Sequence, residues 1–382
     1  MSVYVEIGIA TLTKSGEELC GDKVEVVRTE DATIVVLSDG LGSGVKANIL
    51  STLTTKIAIT MLVNGASLND VVETIGGTLP TCKVRHLAYS TFTILQVFND
   101  RSTYIAEFDN PPTMLLRDGS IVTLPASTSL VEGKKIREAH LYLKDGDFLI
   151  SMSDGLIHSG VGGILNLGWK WENVAEYIEK ISNEKWDAPS LAKWLASVSN
   201  QLYAGKPGDD VSVVVMKIRE SLSTTVLVGP PQRREDDPVV AELLMSEKGK
   251  KIVCGGTTSM LISRELGKEL KVDIKQRDPK IPPGGYIQGI DLVTEGIITI
   301  SHALERMRRV CSQQELIGED EATQLAKALL ASDKVTFLVG RAINPAHQNP
   351  SLPMNMALKL QIVKGMESLL KERGKDVKIQ YF

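Results

Sequence analysis

Thr33-Ile-Val-Val-Leu-Ser-Asp39-Gly-Leu-Gly-Ser-Gly44 is a β-branched apolar run that stops on an acid and then on a cluster of glycines. A carboxylate at the exposed end of a buried strand is held rigidly. Glycine lets the backbone turn close to whatever that acid binds. Residues 45–64 follow at once and read as a helix, with Val45, Ile49, Leu53, Ile57 and Met61 at the four-residue spacing of one face. The same grammar returns at Phe148-Leu-Ile-Ser-Met-Ser-Asp154-Gly-Leu. An acid pair then precedes a Val-rich strand at Gly208-Asp209-Asp210-Val-Ser-Val-Val-Val. These acids are expected to meet in space.

Upstream, residues 3–11 alternate apolar and polar as a half-buried strand does, and 23–28 and 33–38 repeat the signature. Between the first two lies Lys14-Ser-Gly-Glu-Glu-Leu-Cys-Gly21-Asp22, a polar loop with its own Gly-Asp end. Residues 67–75 continue helically, with Ser67 as N-cap, Asp70 three residues on, and Gly76-Gly77 as the stop. Short strands are predicted at 90–97, 103–108, 113–117, 121–124 and 136–143, with Asp118-Gly119 and Asp145-Gly146 as hairpin turns. Helices at 172–181 and 188–203 lead to a strand at 211–218. The order suits two antiparallel sheets stacked together with helices on the outer faces, and not a βαβ repeat.

Past Glu220 the pattern changes. Strands at 224–228, 251–254, 334–339 and 377–381 alternate with helices at 238–246, 260–266, 301–310, 319–331 and 355–372, as in a separate α/β domain. The expected division is therefore 1–220 and 221–382. Gly255-Gly-Thr-Thr-Ser259, between a strand and a helix, has the makings of an anion cradle on backbone N–H groups. It lacks the Gly-Lys-Ser/Thr ending of a P-loop. Arg233, Arg234 and Arg341 also follow strand ends, and the plainer reading is a helix N-cap among surface arginines.

Composition agrees with two ordinary domains. The chain has 382 residues, 43% of them hydrophobic and 24% charged. Its net charge of -4 leaves no strong basic field for nucleic acid or an anionic membrane. Cys20, Cys82, Cys254 and Cys311 are far apart, which suggests neither a zinc site nor a disulfide framework. No apolar stretch approaches ~20 residues and the N-terminus does not read as a signal peptide, so a cytoplasmic protein is expected.

Asp22, Asp39, Asp154 and Asp209 each sit beside a glycine, and three of them cap or introduce an apolar strand. Any one alone reads as a turn. Together they supply the oxygen ligands that hard divalent cations want, on rigid strand ends. Two such ions ~3.5–4 Å apart can activate a water and neutralise a phosphoryl group. His158 is near Asp154 in sequence but has no partner pattern.

Here the residues also carry a resemblance. Gly21-Asp22, Ser38-Asp39-Gly40 with Gly42 and Gly44, Ser153-Asp154-Gly155, and Gly208-Asp209-Asp210 before a Val-rich strand match in order and spacing. Residues 1 to about 220 thereby resemble the SpoIIE-type branch of the PPM (type 2C) metal-dependent Ser/Thr protein phosphatases. The resemblance implies an α+β fold: an α-β-β-α sandwich of two antiparallel sheets flanked by helices, here followed by the smaller α/β domain. It implies two Mn²⁺ or Mg²⁺ ions, with Asp39 shared between them, Asp154 and Asp209 completing one site, and Asp22 with the Gly40 carbonyl serving the other. Asp39, Asp154 and Asp209 would be the catalytic acids, and a metal-bridging water would attack phosphoserine or phosphothreonine directly. The implied setting is bacterial signalling or partner switching. The substrate would be a phosphoprotein, of which an anti-sigma-factor-antagonist-like protein is one candidate, and a homodimer is one possible assembly. The sequence departs from the pattern at Lys23, in having no histidine after Asp39-Gly40, and in having Lys14 and Lys23 where a phosphate-binding arginine is common. Those departures motivate an alternative: a weakly active or inactive phosphatase fold that senses, with residues 221–382 binding a small anion or a protein partner. Residues 221–382 resemble the uncharacterised extension of some anaerobe SpoIIE-like phosphatases.

Overall fold

The computed structural model describes residues 3–78, 90–131, 133–182, 185–273, 277–310, 316–342 and 354–382. Cys82 and Cys311 lie outside them. The chain divides into unit 1, Met1–Glu220, and unit 2, Ser221–Phe382.

The described strands of unit 1 are β1 (Val3–Leu12), β2 (Asp22–Arg28), β3 (Ala32–Asp39), β4 (Phe92–Phe98), β5 (Ser102–Phe108), β6 (Met114–Arg117), β7 (Ser120–Val122), β8 (Ala126–Val131), β9 (Lys134–Tyr142), β10 (Phe148–Met152) and β11 (Val211–Glu220). Its helices are α1 (Gly44–Val63), α2 (Leu68–Thr78), α3 (Asp154–Ile157), α4 (Trp171–Ile181) and α5 (Ala188–Leu202). One sheet has the order β1-β11-β10-β6-β7 and the other β2-β3-β4-β5-β9-β8. Every pairing in both is antiparallel.

Period-2 alternation explains the layering. On β3, Val35 and Leu37 face the other sheet, where they pack with Val214 and Met216 of β11. Ile34 and Val36 face outward against Ala58 and Ile59 of α1 and Val71 and Val72 of α2. On β11, Val213 and Val215 face Leu191 and Leu195 of α5. The layers are therefore helix, sheet, sheet, helix, as the sequence suggests.

Four local readings change. First, Val45, Ile49 and Leu53 are exposed, and α1 instead buries Ala47, Ser51, Thr54, Thr55 and Ala58. The buried hydroxyls bond carbonyls of their own helix, Thr54 to Leu50 at 2.9 Å for example, so this face passes as apolar. Small side chains let α1 ride close to the sheet. Second, α2 runs through Gly76 and Gly77 to Thr78. Its start does match a capping box: Ser67 donates to the Asp70 carboxylate at 2.7 Å, and Asp70 N–H donates back at 3.3 Å. Third, β8 is a polar edge strand that the apolar pattern misses. Fourth, Asp118-Gly119 does close a hairpin between β6 and β7, with φ of 51° and 81°. Asp145-Gly146 instead turns the chain from β9 in one sheet to β10 in the other.

The described elements of unit 2 are strands β12 (Ser223–Val228), β13 (Lys250–Cys254), β14 (Lys271–Val272), β15 (Gly285–Tyr286), β16 (Leu292–Thr294), β17 (Lys334–Val339) and β18 (Asp376–Tyr381), and helices α6 (Asp237–Ser246), α7 (Gly256–Leu266), α8 (Ile297–Val310), α9 (Glu321–Ala331) and α10 (Met354–Glu372). The sheet order is β14-β15-β16-β13-β12-β17-β18, with β16, β13, β12, β17 and β18 parallel. Val226 and Val228 face α8, α9 and α10, while Leu227 faces α6 and α7. Helices on both faces of a parallel sheet make this a doubly wound domain. Among the described residues no helix is long and apolar enough to cross a membrane.

Candidate metal centre

Antiparallel register puts Asp22, the first residue of β2, directly opposite Asp39, the last of β3. Directly opposed side chains on one face are neighbours. In the other sheet β10 runs into Ser153 and Asp154, and Asp209-Asp210 runs into β11. The two ends are stitched together: Ser153 N–H donates to the Ser212 carbonyl at 3.0 Å, and Ser212 N–H to the Ser153 hydroxyl at 2.8 Å. Each sheet thus contributes a pair of acids, from neighbouring strands, at one end.

The glycines beside the acids are there for close approach. A Cβ on Gly40 would sit 2.0 Å from the Ala47 carbonyl oxygen of α1. A Cβ on Gly155 would sit 2.0 Å from the Asp210 carbonyl oxygen. Any side chain at either place would force the loops bearing Asp39 and Asp154 outward. The Asp39 backbone is further tied down: its N–H donates to the Thr91 hydroxyl at 3.2 Å, and the Ser90 hydroxyl donates to its carbonyl at 2.9 Å.

Asp22, Asp39 and Asp209 each lie within the field of another of the acids. Burial pushes the Asp39 carboxyl up to about 9, helped by the charges of Asp22, Asp154 and Asp209. Burial likewise raises Asp22 to about 7, with Asp210 and Asp154 adding to it. The Ser153 and Ser212 hydroxyls approach Asp22 closely enough to oppose that rise. Neither reaches hydrogen-bond geometry, so both buried Asp22 oxygens have no donor among the described residues. Asp209 is raised by burial first and by Asp154 next, against the pull of Lys14.

Orphaned carboxylate oxygens amid like charges are what a bound cation relieves, and an all-oxygen set suits Mg²⁺ or Mn²⁺. Cys20 does not join them. Burial, then Asp22 and Asp210, hold its thiol far above the usual range. Among the described residues no three acidic, His or Cys side chains already form a ligand shell. Asp154 and Asp209 have side chains 43% exposed.

Three neighbours complete the picture. The Lys14 ammonium lies 3.7 Å from Asp209, and Lys14 N–H donates to Asp210 at 2.9 Å. The His158 imidazole lies 3.8 Å from Asp154. Asp210, read from the sequence only as the second half of an acid pair, is 4% exposed and anchors the Lys14 loop. Its place directly ahead of the Val-rich run 211–215 was the available signal. Lys23 sits across from Ser38 in the β2–β3 register.

Comparison with known proteins follows the same half of the chain. The family described as Stage II sporulation protein E (SpoIIE) matches residues 29–219, half of the 382 residues. The stage II sporulation protein E of Bacillus subtilis (strain 168) is 26% identical over 223 residues, covering 57% of this chain and 26% of its own. That of Priestia megaterium is 22% identical over 223 residues, covering 57% of this chain and 37% of its own. The chain thus spans well under half the length of either relative. Among solved structures, the SpoIIE phosphatase domain from B. subtilis, in a crystal form without domain swapping, is 24% identical with a TM-score of 0.44. It covers 57% of this chain and 94% of that one. The B. subtilis PP2C phosphatase domain with a fragment of the regulatory domain is 23% identical with a TM-score of 0.49. It covers 57% and 64%.

Proposed function

The chain belongs to the SpoIIE family, and from that membership we propose that unit 1 is a metal-dependent phosphatase that hydrolyses phosphoserine and phosphothreonine on a protein. The observation that carries the reading is the set of four mutually repelling acids, one of them with both oxygens unpartnered. Asp39 would be shared by two divalent ions, Asp154 and Asp209 would complete one, and Asp22 with the Gly40 carbonyl would hold the other. Bound there, such ions would supply Lewis acidity, lowering the pKa of a water and offsetting phosphoryl charge.

The protein's own residues do the rest. Asp22 and Asp39 stay in place because β2 is paired along its length with the buried strand β3, so they keep the oxygen ligands positioned before substrate arrives. Lys14, tethered through its backbone to Asp210, holds a positive charge beside Asp209 and can offset a phosphoryl group. Direct attack by water would leave no phospho-enzyme. The setting that fits is bacterial signalling or partner switching, with an anti-sigma-factor-antagonist-like phosphoprotein as a candidate substrate.

Purified protein should release phosphate from p-nitrophenyl phosphate and from a phosphoserine protein when given Mn²⁺, and EDTA should stop it. Absence of turnover in Mn²⁺ and in Mg²⁺ would sink the enzyme reading. A second reading is a phosphatase fold that senses, motivated by the lack of a histidine after Asp39-Gly40 and by Lys14 and Lys23 standing where a phosphate-binding arginine is common. Mn²⁺ that raises the melting temperature without supporting turnover would select it.

A further inference from the structure

Three neighbouring parallel strands of unit 2 each end on a glycine. Gly229 follows β12, Gly255 follows β13 and Gly340 follows β17. Register places the three side by side, since Val228 pairs with both Cys254 and Val339. They span two strand spacings, about 10 Å. Gly229 and Gly255 have φ of 80° and 121°, where side chains are rarely tolerated. A Cβ on Gly340 would lie 2.0 Å from the Pro230 carbonyl oxygen. This bare row forms the carboxyl edge of the sheet. The switch in strand order falls between β12 and β17, the place where open parallel sheets leave a crevice.

Two features flank the row. Lys359 of α10 is 7% exposed, and its ammonium donates to the Gly340 carbonyl and lies 2.6 Å from where a Cβ on Gly229 would be. Among the described residues it has no carboxylate partner. An ammonium has three donors, and one carbonyl leaves its charge unbalanced in a site that water scarcely reaches. Burial accordingly lowers its pKa. At the other end the first turn of α7 opens on Gly255 with no side-chain cap. The Thr258 hydroxyl is 1% exposed, has no partner among the described residues, and points back to 2.8 Å from where a Cβ on Gly255 would lie. Apart from the Gly256 N–H, which donates to the Glu295 carbonyl at 2.8 Å, the first-turn N–H groups of α7, a free hydroxyl and an unpaired ammonium are all donors, and they converge on a strip with no side chains.

We propose that this edge is a binding site for a small molecule bearing a phosphate or diphosphate group, held by the first turn of α7, the Thr258 hydroxyl and the Lys359 ammonium. A dinucleotide is not the expected occupant. The loop after β12 is Gly229-Pro230-Pro231, whose prolines have no N–H to give, and not the glycine-rich fingerprint. The first turn of α6 is already served by the buried Asp237 carboxylate, which pairs with Arg264 at 2.5 Å. The site lies wholly within unit 2 and stands whether or not unit 1 is a phosphatase.

The test is amide hydrogen exchange on the full chain in EDTA with inorganic pyrophosphate as probe. EDTA keeps the unit 1 acids from holding the anion through a cation. Pyrophosphate should slow exchange in peptides covering 229–231, 255–262 and 340–342 and leave the Asp39 peptide unchanged. Lys359→Met should weaken the effect about 10- to 100-fold in pyrophosphate concentration, and Thr258→Val about 3- to 10-fold. No slowing in the native protein overturns the proposal, as does equal slowing in Lys359→Met. If Lys359→Met fails to fold, Thr258→Val, which changes no charge, decides: unchanged affinity rejects the site and weakened affinity supports it.

Discussion

Unit 1 and unit 2 gather their polar groups in opposite ways. Unit 1 brings acids from the ends of two antiparallel sheets into one place, and neighbouring charges make Asp22, Asp39 and Asp209 costlier to ionise. Unit 2 brings donors to one edge of a single parallel sheet, over a row of glycines. Antiparallel strands return on themselves, so a side chain at the end of one strand meets one at the start of the next. Parallel strands all finish on the same edge, so backbone N–H groups and helix starts collect there. One arrangement suits a cation and the other an anion, and the topology decides which before any particular side chain does.

That contrast is broken or sharpened first at Asp39. Asp39→Asn should lower kcat/KM for a phosphoserine substrate by about 10³-fold, the scale of several kcal/mol of lost charge stabilisation. The same change should raise the melting temperature of metal-free protein above about pH 9, where it removes a buried like charge, and leave it unchanged near neutral pH, where Asp39 is already protonated. A large fall in melting temperature would show that Asp39 holds the fold instead of a cation.

The next largest effect is on stability against pH. Asp22 and Asp39 are raised in the folded protein, to about 7 and about 9. A group whose folded pKa lies above its unfolded value stabilises fully below the unfolded pKa, near 4, and loses that contribution as pH rises through the folded value. Metal-free protein should therefore melt about 5 °C or more lower at pH 9 than at pH 5. Mn²⁺ should flatten that slope, and a calorimetric pH series in EDTA and in Mn²⁺ checks both.

Gly40→Ala comes third. A Cβ there would meet the Ala47 carbonyl oxygen at 2.0 Å, so α1 must shift. A loss of about 1–3 kcal/mol by urea denaturation is expected, with lower activity. The smallest effect is expected in unit 2. Asp320 caps α9 by accepting from Ala322 and Thr323 N–H at 3.1 and 3.2 Å, and it pairs with Arg306. Asp320→Ala should cost about 1–2 kcal/mol in unit 2. Phosphatase activity measured well below the melting temperature should not move. Lost activity would mean that the two kinds of site are energetically linked.

What could be read from the sequence was local. The alternation of Ile34 and Val36 with Val35 and Leu37 specifies a strand buried on both faces, and the Asp118-Gly119 hairpin follows from turn chemistry alone. The helix-sheet-sheet-helix order follows from the succession of patterns. The acids were recognisable as candidates because four strand ends share one context. Their meeting depended on register, since Asp22 opposes Asp39 only if β2 and β3 pair as they do. The face of α1 was misread because spacing gives the period of a helix and not its inward side, and Ser51, Thr54 and Thr55 hide their hydroxyls within the helix. β8 was missed because an edge strand need not be apolar. Asp210 lies in the Gly208-Asp209-Asp210 motif, but its anchoring of the Lys14 loop is a long-range contact that the motif does not show, and no short motif marks Lys359.

The pairing of β1 with β11 has a consequence for how unit 1 comes into being. Val3 lies opposite Glu220 and Leu12 opposite Val211, so the first strand made has to wait for the last. At ribosomal speeds of about 5–20 residues per second, that wait is roughly 10–40 s. During it, β11, the central partner of β1 and β10, does not yet exist. The exposed edges need shelter from other chains, and folding of unit 1 should be slow for its size. Asp209 is also the last of the four acids to be synthesised, so the four come together in the same step that closes the sheet.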